Sequence, residues 1–200
     1  MSRPFLLGLT GSIGMGKSTT AAMFAEEGIP VWDADAAVHR LYSSGGAGTS
    51  AIAKLNPEAI SEGAVDRGKL KAWIAGDAGR LREVEAVVHP LVAADRAEFV
   101  ARAQAAGEGL VVLDIPLLFE TGADRGMDAT LVVTAPAEVQ RSRVLSRPGM
   151  TESQLEVILA RQMPDAEKQS RATYVIETVT LDAARQAVRQ IVARIRSDHA

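Results

Sequence analysis

Cysteine is absent from this chain of 200 residues, which excludes disulfide bonds and thiolate metal sites and is consistent with a reducing compartment. Also missing is any apolar run near the roughly 18 residues that a membrane-spanning helix needs. A strand is predicted to start at Phe5, so we expect no signal peptide and a cytoplasmic location. Basic charge is not in excess, since the formal net charge is −3, and this argues against a general binder of nucleic acid or anionic membranes.

What the chain does contain is a glycine-rich phosphate-binding pattern at residues 11–18. Glycine, four residues, glycine, lysine and serine follow one another there, between a predicted strand at residues 5–10 and a predicted helix at residues 18–27. The backbone N–H groups of such a loop (a P-loop) and the N-terminus of the following helix hold phosphate anions. A glycine-rich turn without a ligand is the alternative, but the complete match in this setting predicts a nucleoside triphosphate site.

The motif also predicts individual roles. Lys17 is placed to reach the β- and γ-phosphates, and the hydroxyl of Ser18 is placed to bind Mg²⁺. The predicted nucleotide-binding residues of the loop are Gly11, Ser12, Ile13, Gly14, Met15, Gly16, Lys17, Ser18 and Thr19.

Predicted strands alternate with predicted helices along the chain, which indicates an α/β fold with a parallel sheet covered on both faces. The strands are predicted at residues 5–10, 29–32, 110–114, 129–134 and 174–176. Residues 49–107 read as almost wholly helical and exceed one crossover connection. We therefore expect one P-loop NTPase domain with a core at 4–48, 108–136 and 170–200, a helical acceptor-binding insertion at about 49–107, and a lid at about 137–169.

Carboxylates follow two of the predicted strands. Asp33 and Asp35 come at the carboxyl end of the second strand, on the sheet edge where the P-loop opens, so they are candidates for the base of a phosphoryl transfer. Both could instead be N-caps of the next helix. Asp114 ends the third strand after four apolar residues, as a Walker B carboxylate does.

Arginines cluster after the fourth strand, at Arg141, Arg143, Arg147 and Arg161, around a Pro148-Gly149 turn. Such a segment can close over a nucleotide as a lid. Any single arginine here could also lie on a solvated helix face. Arg143 and Arg147, four residues apart on one face, are the preferred pair, and Arg141 is the weaker candidate.

The reaction class is narrowed by further absences. No Asp is followed by Gly three positions later, and the single Asn, Asn56, precedes a proline, so the DxxG and NKxD motifs of a signalling GTPase are missing. The pattern favours a small-metabolite kinase. Two alternatives stay open: a nucleotide or sugar kinase, and an ATP-binding regulator that turns over no small molecule.

Several further motifs resemble one family closely, the dephospho-CoA kinases. The resemblance runs from Leu7 to about Arg196. It rests on the P-loop with Leu9-Thr10 before it, Val31-Trp32-Asp33-Ala34-Asp35, His89-Pro90, Asp114-Ile115-Pro116-Leu117-Leu118-Phe119-Glu120, Gln140, Arg143 with Arg147, and Gln162-Met163-Pro164 with Lys168.

The resemblance implies ATP-dependent phosphorylation of the ribose 3′-hydroxyl of dephospho-CoA, giving CoA and ADP, with Mg²⁺ as cofactor. It implies that the catalytic residues are Asp33 as base, Lys17 and Arg143, that Arg147 contacts the nucleotide, and that the acceptor contacts are Asp33, Asp35, His89, Asp114 and Leu118. By itself His89 could equally be a helix-start residue before Pro90. No nucleic acid or membrane partner is expected, and a weak homo-oligomer is left open.

This chain departs from the family pattern in two places. Near the fifth strand the family usually shows Ala-Asp, two residues, Ile-Asp-Asn, whereas Thr173, Glu177 and Thr178 stand at the polar positions here. That strand end is expected near the adenine, so contacts with the nucleotide base are predicted to differ. The lid turn has Pro148 where an aspartate is more usual.

Overall fold

Five strands that are far apart in sequence pair to form the main sheet, in the order β2-β5-β1-β6-β7. The computed structural model describes residues 3–199. Its strands are β1 Phe5–Thr10, β2 Val31–Asp33, β3 Ile60–Ser61, β4 Ala64–Val65, β5 Leu110–Asp114, β6 Ala129–Thr134 and β7 Tyr174–Glu177. Its α-helices are α1 Lys17–Glu26, α2 Ala34–Tyr42, α3 Ala47–Leu55, α4 Arg67–Ile74, α5 Ala78–Ala105, α6 Ala137–Leu145, α7 Glu152–Leu159, α8 Asp165–Arg171 and α9 Leu181–Asp198.

The described residues form two compact units, one of residues 3–32 and 103–199 and the other of residues 33–102. The predicted insertion at about 49–107 lies mostly within the second unit, and its role in acceptor binding stays a prediction. The second unit begins at Asp33 because α2 packs against α3. The predicted lid segment, 137–169, falls within the first unit.

The first unit is organised by the sheet. Its central strand β1 pairs in parallel with β5 and β6, which brings Leu9 opposite Asp114 on one side and opposite Leu131 on the other. All five residues of β5 are buried, as expected for a strand covered on both faces. The core includes Leu7, Phe24 of α1 and Val188 of α9. The predicted five-stranded parallel sheet is confirmed.

The second unit has its own small core, which includes Ile52, Leu70 and Val88. It also contains an antiparallel hairpin, in which Ile60 pairs with Val65 and Ser61 with Ala64. The expectation of an almost wholly helical segment was therefore wrong here. The two loop residues, Glu62 and Gly63, both have positive φ (50° and 77°), as the tightest hairpin turns require.

The long helix α5 continues through Pro90. From the sequence, a proline here should start or kink a helix; it starts none, because α5 begins at Ala78, and His89 is therefore not a helix-start residue. Pro90 has no N–H, so the carbonyl of Ala86 loses its usual helical donor. Across residues 3–199, every helix is too short or too polar to cross a membrane.

Candidate active site

The loop between β1 and α1 has a backbone that only glycine permits at several positions. Gly14 and Gly16 have φ of 78° and 86°. A Cβ atom on Gly11 would lie 2.4 Å from Cγ2 of Val133, and one on Gly14 would lie 2.6 Å from Cγ2 of Val144. Helix α1 starts at Lys17 with Gly16 as N-cap, and neither a capping side chain nor an acidic residue occupies its first turn. The N–H groups there are therefore suited to an anionic ligand.

Lys17 is held beside this loop by the carboxylate that ends β5. Its Nζ donates to Oδ1 of Asp114 at 2.5 Å, and Asp114 is fully buried whereas 15% of the Lys17 side chain is exposed. The pairing of β1 with β5 sets this contact, because it puts Asp114 level with Leu9, just before the loop. The predicted Walker B position of Asp114 thus places it next to Lys17, where it orients the lysine.

Ser18 and Thr19 occupy the exposed first turn of α1. Within residues 3–199, no group of three or more His, Cys, Asp or Glu side chains could bind a metal ion by itself.

Side chains from more distant parts of the chain form hydrogen bonds with the backbone of the loop. Gln140 of α6 donates from Nε2 to the carbonyl of Ile13 at 2.8 Å, and the N–H of Ile13 donates to Oε1 of Gln162 at 3.1 Å. The hydroxyl of Thr178 donates to the carbonyl of Met15 at 2.8 Å. Gln140 and Gln162 belong to the resembling motifs, but no role was predicted for either of them.

A cavity of about 310 Å³ lies beside the same loop, within the size range of small-molecule sites. Both preferred arginines, Arg143 and Arg147, line it, together with Thr178 at the strand end where the sequence departs from the family. No sequence motif predicted the other lining residues, which lie in α1 beyond the loop or at the start of α9. They are Thr20, Met23, Thr180, Leu181 and Ala184.

Arg143 makes its hydrogen bonds within the protein. Its guanidinium donates to the carbonyl of Thr178 at 2.5 Å, to the Thr178 hydroxyl at 3.0 Å and to the carbonyl of Gly14 at 3.5 Å. Arg141, the weaker candidate, forms an exposed ion pair with Glu152. The catalytic role of Arg143 stays a prediction.

The residues predicted to contact the acceptor differ in their exposure to solvent. Asp33 caps α2, since its Oδ1 accepts the N–H of Ala36 at 2.8 Å, and Asp35 lies in the first turn of that helix. His89 is exposed on α5. Leu118 is fully buried, with its Cδ2 close to Gly8 of β1, and its predicted contact with the acceptor stays a prediction.

A buried ion pair anchors the end of the predicted lid segment. Nζ of Lys168 lies 2.9 Å from Oε1 of Glu120, and that oxygen also accepts the N–H of Met163 at 2.9 Å. Lys168 is fully buried. Burial by itself would raise the pKa of Glu120, but the hydrogen bonds from Lys168 and Met163 outweigh it and the pKa is lowered. The resemblance named these residues without giving them a role.

Comparison with known proteins gives consistent matches over nearly the whole chain. The family model described as dephospho-CoA kinase matches residues 5–182. The dephospho-CoA kinase of Cereibacter sphaeroides is 63% identical over 97% of both chains. A solved protein of Thermus thermophilus is 36% identical with a TM-score of 0.86, covering 96% of this chain and 98% of its own. The solved dephospho-CoA kinase from Campylobacter jejuni, 19% identical, has the same fold, with a TM-score of 0.67 over 97% of this chain and 98% of its own.

Proposed function

The chain belongs to the dephospho-CoA kinase family and is therefore an ATP-dependent kinase of dephospho-CoA in coenzyme A biosynthesis, and we propose that it phosphorylates the ribose 3′-hydroxyl of that substrate. The observation that carries this proposal is the glycine loop before α1, with an uncapped helix N-terminus behind it and Lys17 held beside it by Asp114. These groups together suit the triphosphate of ATP.

In the proposed reaction the 3′-oxygen forms a bond to the γ-phosphorus as the bond from that phosphorus to the β,γ-bridging oxygen breaks. The hydroxyl proton passes to the carboxylate of Asp33, and ADP leaves. Asp33 ends β2, a strand of the same sheet as β1, and ligands of such sheets bind beyond the carboxyl ends of the strands. Lys17 and the loop N–H groups stabilise the charge on the transferring phosphoryl oxygens.

Mg²⁺ belongs to the proposal through the hydroxyl of Ser18 and the substrate phosphates, and when bound it would neutralise phosphate charge. Arg147 and Arg143 are proposed to contact the nucleotide from the cavity beside the loop. Asp35, His89 and Asp114 stay proposals as acceptor contacts. The roles of residues 49–107 and 137–169 as acceptor-binding segment and lid, the cytoplasmic location, the lack of nucleic acid and membrane partners, and weak self-association also remain predictions.

The test is ADP release by the purified protein with Mg-ATP, measured with and without dephospho-CoA. The control acceptors are AMP, which offers a phosphate group, adenosine, which offers ribose hydroxyls without a phosphate, and shikimate, which offers the hydroxyls of a carbon ring. Stimulation by dephospho-CoA alone, with phosphate found on the 3′-oxygen of the product, is the expected result. Stimulation by a control acceptor instead would favour another small-metabolite kinase, and no stimulation by any acceptor would favour a nucleotide-binding regulator.

A further inference from the structure

The P-loop is held by hydrogen bonds to its carbonyl groups, in addition to those within its own backbone. The carbonyl of Ile13 accepts from Gln140 and that of Met15 accepts from Thr178, both at 2.8 Å. The carbonyl of Gly14, between them, lies at the longer distance of 3.5 Å from Arg143. Two strong donors and one weak donor thus contact three successive carbonyls of the loop.

These contacts fix the direction of the neighbouring N–H groups. A peptide bond is planar and trans, so the C=O of one residue and the N–H of the next point in opposite directions. Because Gln140 holds the Ile13 carbonyl towards α6, the N–H of Gly14 points away from α6. Because Thr178 holds the Met15 carbonyl towards β7, the N–H of Gly16 points away from β7. The N–H of Met15, between them, donates to the carbonyl of Ser12 at 3.1 Å, so the N–H groups of Gly14 and Gly16 are the two left for an anion.

Burial and packing keep this arrangement rigid. Gln140 and Thr178 are each only 8% exposed, and a buried polar side chain is costly unless it is hydrogen-bonded. A Cβ atom on Gly14 would lie 3.1 Å from the backbone oxygen of Gln140, and one on Gly16 would lie 3.0 Å from the hydroxyl of Thr178. The loop therefore packs directly against both residues and has little room to rotate its peptide groups.

We propose that Gln140 and Thr178 are positioning residues that preorganise the N–H groups of Gly14 and Gly16 for the β-phosphate of the nucleotide. The inference rests on the proposed function, because it requires the loop to bind ATP. Donors that are already aimed at a phosphate need no reorganisation when it binds, so they strengthen both binding and transfer. Neither residue needs to touch the nucleotide phosphates for this effect.

The test compares ADP with AMP, which lacks the β-phosphate, in binding to two variants of similar shape. Gln140→Met and Thr178→Val each remove a donor to a loop carbonyl, and Gln140→Met is the cleaner of the two because Thr178→Val also removes an acceptor of Arg143. We expect ADP affinity to fall about ten- to a hundredfold, because a loop N–H that is no longer aimed at the β-phosphate loses a hydrogen bond to a charged group. AMP affinity should change less than about threefold. Thr178→Ser, which keeps the hydroxyl, should restore ADP binding, and Gln190→Met on the exposed face of α9 is the matched control.

The outcomes separate the inference from the proposed function. If the wild-type protein binds ADP no more tightly than AMP, the P-loop assignment itself fails. If the wild type prefers ADP and both variants keep that preference, the positioning role is overturned while the function stands. An equal loss of ADP and AMP binding would also overturn it, since that result indicates general damage to the fold. Thermal unfolding of each variant is measured alongside, and Thr178→Val decides the matter if Gln140→Met does not fold.

Discussion

Asp33 has to be tested by a change that spares its structural role. Its Oδ1 accepts the N–H of Ala36 and caps α2, and asparagine caps helices as well as aspartate does. We therefore expect Asp33→Asn to leave folding and ATP affinity nearly intact and to lower kcat by roughly 10² to 10⁴, the range for general acid–base groups. Steady-state kinetics and calorimetric ATP binding check this. Asp66→Asn, at the side-chain cap of α4, is the control, and an Asp33→Asn enzyme that kept most of its kcat would show that another group is the base.

Lys17 is proposed to contact the nucleotide and also pairs with the buried Asp114, and the two effects can be separated. Lys17→Met should abolish measurable turnover and weaken ATP binding, because the lysine charge acts on the phosphates before and during transfer. It should also lower the free energy of unfolding by about 3 kcal/mol, since it removes the cation beside the fully buried Asp114.

The double variant Lys17→Met/Asp114→Asn provides the comparison for this prediction. Stability, measured by urea unfolding, should recover in part because the buried carboxylate charge is gone, while turnover stays absent. Full stability in the single variant would mean that the Lys17–Asp114 pair does not stabilise the fold.

Residues of the P-loop could be predicted from sequence because their chemistry is local. Glycines at fixed spacing, a lysine and a serine define the backbone shape and the ligand together, so Gly14, Gly16 and Lys17 were all named in advance. Gln140 and Thr178 could not be found in this way. They reach the loop from positions more than a hundred residues away, and only the folded structure shows that they contact its carbonyls.

Among the elements, a buried ion pair joins the turn after β5 to α8. Glu120 joins Lys168 of α8 to the N–H of Met163, and its pKa is lowered in the folded protein. A carboxylate with a lowered folded pKa stabilises the fold above its unfolded pKa, and that stabilisation is lost as the pH falls through the folded value. The wild type should therefore lose stability from about pH 5 downward.

Glu120→Gln tests this pH dependence. The variant should be less stable than the wild type at pH 7, because the fully buried Lys168 has lost its carboxylate, and the difference between them should shrink as the pH falls. Urea unfolding at a series of pH values measures it. Glu138→Gln, on the exposed surface of α6, is the matched control, and a Glu120→Gln protein with the same pH slope as the wild type would contradict the prediction.

Elements with a strong periodic pattern were predicted well, and the exceptions have a physical reason. The apolar run from Leu110 to Leu113 can only be a buried strand in this setting, and the structure confirms it. The hairpin around Glu62 was missed because each of its strands has two residues, too short for alternation to be recognised, and a glutamate rarely takes a positive φ. The sequence could not decide whether Pro90 starts a helix or lies within one, because a proline is compatible with the first turn of a helix and with a kink in its interior.

For the complete chain, ligand binding and unfolding are linked through the unit that contains the P-loop. At a concentration about 100 times its dissociation constant, Mg-ADP adds roughly 2.7 kcal/mol to the stability of the state that binds it. For a chain of this size we therefore expect Tm to rise by about 5 to 10 °C, with Asp33→Asn keeping the shift and Lys17→Met losing most of it. Differential scanning calorimetry measures these shifts. Should the two compact units unfold in separate transitions, only the transition of residues 3–32 and 103–199 should move, and an equal shift in Lys17→Met would show that ADP binds away from the loop.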